Sequence, residues 1–308
     1  MSTNQISSDG VIQGVMTSTL EAPTLPVAFV PPAAVTARPR LTQRHPWLYP
    51  WAVRIFQLKR RWAWLRSDAT WARTHSADVL PQLVKKHSSL LMRELSEQEM
   101  VLQRNKVVNL RLASARVDGL VIAPGETFSF NRVVGNCTAR KGYVEGMKLS
   151  NGDAESGVGG GICQLANLLH WMFLHAPLTI VERSEHSFDP FPDKGRVLPW
   201  GVGCSIVWNY VDLVVRNDTP YTFQLRTWVG ERHLRGELRA DVLPEATYRV
   251  AARNEVFIRH GRRVFRSNEI WRTVHRRSDG MPIDEELMKT NCALVKYEPL
   301  DGAVVDLD

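Results

Sequence analysis

The run Gly157-Val158-Gly159-Gly160-Gly161-Ile162-Cys163-Gln164 feeds a glycine-rich turn straight into an apolar, helix-forming stretch, with a cysteine at the junction. This junction constrains the fold more than any other segment. Glycine lets the backbone take positive φ and approach its neighbours closely. A helix start carries unpaired N–H groups and a partial positive charge. A thiol placed there has its thiolate stabilised, and the same N–H groups can hold an oxyanion. The alternative is a packed, structural cysteine beside a tight turn. Spacing leaves both readings open.

A nucleophilic Cys163 needs a base. Residues 163–175 predict the strongest helix in this half of the chain, stopped by Pro177, and Leu178 to Arg183 predicts the following strand, with His186 just beyond it. His170 shares the face of Cys163 but lies about two turns, ~10.5 Å, along the axis, and His175 lies farther still. Both read as members of an amphipathic helix. His186 passes the length test: a helix of about 13 residues spans ~20 Å, and a strand from Thr179 to His186 returns ~24 to 27 Å. Asp189, Asp212 and Asn209 are candidates for a third, orienting group. The residues do not choose among them, and Asp189 is carried forward. Glu182, Glu185 and Asp193 raise a mixed histidine and carboxylate metal site, but there is no H-E-x-x-H and the spacings are unspecific. Neither a metal nor a cofactor is expected.

Residues 1–44 are rich in Ser, Thr, Pro and Ala and read as a disordered tail. From Trp47 the texture changes. Trp51, Ile55, Leu58, Trp62 and Leu65 recur at three and four, with Arg54, Lys59, Arg60, Arg61 and Arg66 between them, which predicts an amphipathic helix with a basic face. Between Arg38 and Arg66 stand eight Lys or Arg residues and no acid. The plain reading docks this helix on the body by its tryptophans; the alternative lays residues 47–66 on an anionic membrane surface. No recognition motif accompanies the charge, so nucleic acid is not an expected partner. A second helix is predicted through Leu80, Leu83, Val84, His87, Leu90, Leu91 and Leu95, and a third starts at the capping pattern of Ser96 and Glu99.

Beyond about residue 116 short strands take over. Val117 to Ile122 and Thr127 to Phe130 predict a hairpin through Ala123-Pro124-Gly125. Val207 to Arg216, Tyr221 to Val229, a hairpin around Gly261, and Ala293 to Tyr297 complete the set. The expected fold is α+β: N-terminal helices, then a mainly antiparallel β body with one central helix starting at the Gly-rich turn and Cys163. The expected divisions are a tail over 1–44, a helical region over 45–108 packed on the body, an α+β domain over 109–299, and a C-terminal tail over 300–308.

The four cysteines, Cys137, Cys163, Cys204 and Cys292, show no C-x-x-C spacing, hence no zinc ribbon and no disulfide framework. Residues 1–32 lack a basic segment followed by an unbroken apolar one, and no run reaches about 18 apolar residues. These features lead us to expect a reducing, cytoplasmic setting, with peripheral contact at the inner membrane surface as an added option.

Several separate motifs converge on one family. Pro124-Gly125-Glu126-Thr127-Phe128-Ser129-Phe130-Asn131, Val134-Gly135, Gly142-Tyr143, Gly159-Gly160-Gly161-Ile162-Cys163-Gln164-Leu165, Glu182-Arg183 and His186-Ser187 occur in the order found in the VanW family, which the chain resembles. His87-Ser88, Asn105-Lys106, Asn109-Leu110, Asp189 with Asp193, Asn209-Tyr210 with Asp212, and Arg266 to Glu269 extend the resemblance to its free-standing members, named for an accessory protein of B-type vancomycin-resistance clusters. The resemblance implies a cell-wall setting and cysteine-dependent acyl transfer or amide hydrolysis on a peptidoglycan-type peptide or precursor, similar in reaction class to L,D-transpeptidases, whose S-H-G-C motif is absent here. Carried over residue by residue, Cys163 would be the nucleophile and His186 the base, and the backbone N–H groups around Gly161 to Cys163 would stabilise the oxyanion. Gly159, Gly160, Gly161, Gln164, Glu182, Arg183 and Ser187 would line the binding site. The second reading is a non-catalytic binding or accessory protein with a pocket formed by the turn.

Overall fold

The computed structural model describes residues 45–92, 97–150, 153–184, 188–190, 192–193, 197–299 and 304–307. The tail expected over 1–44, residues 300–303 and 308 of the tail expected over 300–308, the Ser96 cap, His186 and Ser187 lie outside the described residues, whereas residues 304–307 of that C-terminal tail form a strand paired parallel with residues 257–260. In chain order come a 3-10 turn at Pro46–Leu48, helix α1 (Tyr49–Arg66), strands β1 (Thr70–Trp71) and β2 (Gln82–Leu90), helix α2 (Glu97–Val117), strands β3 (Val121–Ile122) and β4 (Glu126–Ser129), and the short helix α3 (Phe130–Val134). A hairpin of β5 (Glu145–Ser150) and β6 (Asp153–Val158) leads into helix α4 (Cys163–Phe173). Then follow β7 (Thr179–Glu182), β8 (Phe188–Asp189), β9 (Val214–Arg216), β10 (Phe223–Val229), β11 (His233–Ala240), β12 (Ala246–His260), β13 (Arg263–Arg276), β14 (Pro282–Val295) and β15 (Val304–Leu307). The fold is α+β with mainly antiparallel sheets, as expected.

The core is built around α4. Its sequence is apolar on nearly every side, and Leu165, Ala166, Leu168, Leu169, Met172 and Phe173 are all buried. Such a helix needs partners all round. One side lies on the sheet ordered β2-β11-β10-β3. There Gly236 of β11 makes room: a Cβ on it would stand 2.4 Å from Leu168 Cδ2. Leu110, Ala113 and Val117 of α2, with Phe128, Phe130, Phe223, Leu225 and Leu234, complete the same cluster. Burying one such side chain is worth ~1.5 to 3 kcal/mol, so this cluster sets where the start of α4 sits.

Three expectations are corrected. The helix predicted over residues 80–95 is instead strand β2, paired antiparallel along β11 from Gln82↔Ala240 to Leu90↔His233. A register shift between Leu238 and Arg239 makes Val84 and Lys85 both half-buried, which breaks strict alternation and imitates helical spacing. The open edge of β11 supplies ladder hydrogen bonds that a helix there would forfeit. The helical region expected over 45–108 therefore also contributes a strand to the main sheet, and the boundary at 108/109 falls inside the continuous α2. Lastly, β3 and β4 do not form a hairpin: β3 pairs with β10, while β4 pairs with β1 and β9. Gly125, at φ 79°, turns the chain from one sheet into the other.

The basic helix α1 docks by a different face from the one expected. Phe56 stacks near Tyr210 at 4.9 Å, Gln57 Nε2 donates to the Trp208 carbonyl at 3.4 Å, and the Gln57 carbonyl accepts from Asn209 Nδ2 at 2.7 Å. Arg60 and Trp64 continue this face, one onto Glu182 and the other beside Trp71 at 6.3 Å. The tryptophans of the predicted stripe, Trp51 and Trp62, are exposed. Among the described residues no helix is long and apolar enough to cross a membrane.

Candidate functional site

The turn before α4 needs glycine for packing reasons. A Cβ on Gly160 would stand 2.1 Å from the Gly146 carbonyl oxygen, and one on Gly159, at φ 77°, would stand 2.6 Å from Cys137 Cβ. No side chain fits in either place. The buried Asn109 of α2 clamps the two loops: its Nδ2 donates to the carbonyls of Val144 and Gly160, both at 2.9 Å, and its Oδ1 accepts from the Val144 N–H at 2.9 Å. Gln164 Nε2 donates to Ser89 Oγ and the Leu90 carbonyl, both at 2.8 Å, which ties the first turn of α4 to β2.

Cys163 opens α4 and is half-buried. Burial is the largest influence on its thiol and pushes it up; the N–H groups of Ile206 and of Cys163 itself, with Lys148, oppose this only in part. The helix-start effect expected from the sequence is present but outweighed. Two more thiols lie near: Cys137 against Gly159, pushed up by burial, and Cys204, pushed up to about 12 by burial. Cys204 belongs to a strap that crosses beside α4, where its N–H donates to Asn167 Oδ1 at 2.6 Å and the Ser205 N–H donates to the Ser184 carbonyl at 2.8 Å.

The other sequence-predicted residues are drawn into separate structural roles. Glu182 accepts from Arg60 Nη1 at 2.5 Å and Nη2 at 2.6 Å, and from the Asp212 N–H at 3.2 Å. Arg183 spends its guanidinium on the carbonyls of Gly201 and Gly203, with Nε 3.0 Å from Gly203, and on Asn291 Oδ1 at 3.3 Å. Asp189, buried in β8, accepts from Arg266 Nη1 at 3.2 Å and from the Tyr297 hydroxyl at 2.9 Å, inside a network that also holds Asp193 and Glu255. His170 is buried with Nδ1 2.8 Å from the Val202 carbonyl, and burial followed by the charge of Arg183 lowers it to about 3. Gly159, Gly160, Gly161, Cys163 and Gln164 thus share one junction, whereas Glu182, Arg183 and Asp189 face other partners.

Sequence reasoning missed two groupings. The first runs from Arg60 through Glu182 to Asp212, whose carboxylate is fully buried and accepts from Ser129 Oγ at 2.5 Å and from the N–H groups of Asn131 and Leu213, both at 2.9 Å. Burial raises Asp212 to about 6 despite those bonds, and Glu182 adds repulsion. The second is a cleft of about 440 Å³ lined by Trp64, Arg73, His75, Arg132 and Trp208 over Ala72, Leu120 and Val133. Arg132 lies over the rings of Trp64, at 5.1 Å, and Trp71, at 4.5 Å. Among the described residues neither Arg73 nor Arg132 forms an ion pair with a carboxylate; Arg132 is lowered by burial first and by Arg73 second, and the buried Asp212 opposes this only in part. Nothing in the sequence signals either grouping, because their members lie on segments far apart in the chain.

An α+β protein whose central helix starts from a clamped glycine turn and a cysteine is the class that fold and site define. A family model described as VanW like protein matches residues 105–239. The chain is 36% identical over 271 residues to the Vancomycin B-type resistance protein VanW of Enterococcus faecalis, covering 87% of this chain and 97% of that one. It is also 41% identical over 96 residues to the uncharacterized protein YoaR of Bacillus subtilis, covering 30% of this chain and 32% of that one. No solved structure is a significant match. The chain belongs to the VanW family.

Proposed function

We propose that this chain is a binding or accessory protein in the vancomycin-resistance setting that its Enterococcus faecalis relative's name records, and that it takes an acidic, peptidoglycan-type peptide in the cleft of Arg73 and Arg132. One observation carries this reading: two guanidinium groups share a tryptophan-walled cleft, repel each other, and form no ion pair among the described residues, the buried Asp212 acting on Arg132 less strongly than Arg73 does. A carboxylate entering there relieves that repulsion and is gripped by charge-assisted hydrogen bonds. Trp64 and Trp208 supply apolar walls for the peptide. The turn at Gly159 to Cys163 then serves to position α4 and the strap carrying Trp208, and Cys163 stays a thiol at neutral pH because burial raises it.

Calorimetric titration with a soluble stem peptide tests this. The free acid is expected to bind, its C-terminal amide to bind at least tenfold more weakly, and Arg73→Gln to remove the difference. Equal affinity for acid and amide defeats the proposal.

A second reading, cysteine-dependent acyl transfer with Cys163 as nucleophile and His186 as base, rests on the two backbone N–H groups that favour the Cys163 thiolate, those of Ile206 and of Cys163 itself. Such a pair suits an oxyanion. It requires that iodoacetamide label Cys163 at lower pH than Cys137, Cys204 and Cys292. Labelling of Cys163 no earlier than the others rejects it.

A further inference from the structure

Helix α1 carries two opposed faces. At ~100° per residue, with Trp51 taken as zero, Phe56, Gln57, Arg60 and Trp64 fall between ~140° and ~240°. That is the face fastened to Tyr210, Trp208, Glu182 and Arg132. Trp51, Ile55, Leu58, Trp62 and Leu65 fall within ~40° of zero, on the far side. They are 67%, 52%, 63%, 57% and 82% exposed, respectively. Arg54 and Arg61 border this stripe on one side, at ~280° to 300°, and Lys59 and Arg66 border it on the other, at ~60° to 80°. Arg66 stacks its guanidinium on the Trp62 ring at 3.4 Å.

We infer that α1 is an interfacial helix that seats the protein on a bilayer rich in acidic phospholipid. An apolar stripe flanked on both edges by long cationic side chains matches a helix lying in the plane of a membrane: the stripe enters the acyl boundary and the cations reach out to the headgroups. Tryptophans prefer that same depth. Charge decides the occupant. No acid stands between Arg38 and Arg66, so a second copy laid against the stripe would bring cation against cation, whereas an anionic lipid surface complements every flank. At 18 residues the helix is ~27 Å long, and its five Lys and Arg residues bar it from crossing. The bond from Arg60 to Glu182 and the Gln57 contacts hold the body on the opposite side of the helix, so bilayer contact leaves them intact.

Flotation of the full chain with vesicles tests this. It is expected to float with vesicles of phosphatidylcholine containing about a third phosphatidylglycerol, at least tenfold more than with pure phosphatidylcholine, and to be released by high salt. Leu58→Ser with Trp62→Ser, both exposed and therefore harmless to folding, is expected to reduce partitioning at least tenfold at an unchanged melting temperature. Neutralising Arg54 and Lys59 to Gln is expected to reduce it by a similar factor, at about fivefold per cation. Equal flotation on neutral and acidic vesicles overturns the inference. So does unchanged flotation of the stripe variant. Sedimentation showing a dimer that the stripe variant abolishes, without vesicle binding, assigns the stripe to a second copy and likewise overturns it.

Discussion

Replacing Asp212 by Asn isolates what it costs to hold a charge beneath α1. The carboxylate is fully buried, receives three hydrogen bonds from Ser129, Asn131 and Leu213, and faces Glu182. Burial prevails, so the folded protein holds the proton with a pKa of about 6, where an ordinary Asp has 3.8. A group whose folded pKa is raised stabilises the fold fully below its unfolded pKa and loses that contribution as pH climbs through the folded one. Here the loss falls between about pH 4 and pH 7. At 1.36 kcal/mol per tenfold in proton affinity, it amounts to about 3 kcal/mol. Asn has no proton to lose, and its oxygen can still accept from Asn131 and Leu213 while its amide donates to Ser129. The variant should therefore match the wild type at pH 4 and exceed it by about 3 kcal/mol at pH 7.5, which is about 6 °C in melting temperature for a chain of this size. Thermal unfolding of both proteins at the two pH values measures this difference and cancels the titration of every other group. A variant that is less stable at pH 7.5, or whose advantage is the same at both pH values, refutes the reasoning.

Gly160→Ala should cost about 3 kcal/mol or more, because its Cβ would meet a backbone oxygen at 2.1 Å, whereas Gly125→Ala, at φ 79° with open space around it, should cost about 1 kcal/mol; equal losses in urea unfolding would contradict this. Glu182→Gln should weaken the docking of α1 by about 2 kcal/mol, so that the undocked helix frays and trypsin cuts at its Arg and Lys residues faster than in the wild type; an unchanged cleavage rate would speak against it. His170, lowered to about 3 chiefly by burial, should show no titration between pH 5 and 8 by NMR. It should also draw stability down as pH falls below 6.5, because the unfolded chain then binds a proton that the folded chain refuses.

Local chemistry determined much of this protein. The apolar run from Cys163 to Phe173 and the stop at Pro177 place α4, the hairpin around Gly261 follows from alternation and a turn residue, and the glycines before Cys163 announce a close approach. These are short-range effects, written within a few residues. The family resemblance was equally legible, because its motifs are local strings. What only the tertiary structure decided depends on partners far off in sequence. β2 is a strand because β11 offers it a ladder, and β3 and β4 part because each finds a different neighbour. Glu182 meets Arg60 across 122 positions, and Asp189 meets Arg266 across 77. The same holds at the glycine-flanked Cys163. The sequence specifies a helix start that favours a thiolate, but burial of that start beneath the Ile206 strap, a long-range outcome, reverses the balance and raises the thiol. Helix α1 shows the division most plainly: its amphipathic stripe is written in the spacing of Trp51 to Leu65, yet which face meets the body was settled by Glu182, Trp208 and Tyr210, where a half-buried ion pair and polar bonds hold the helix by the side opposite its tryptophan stripe.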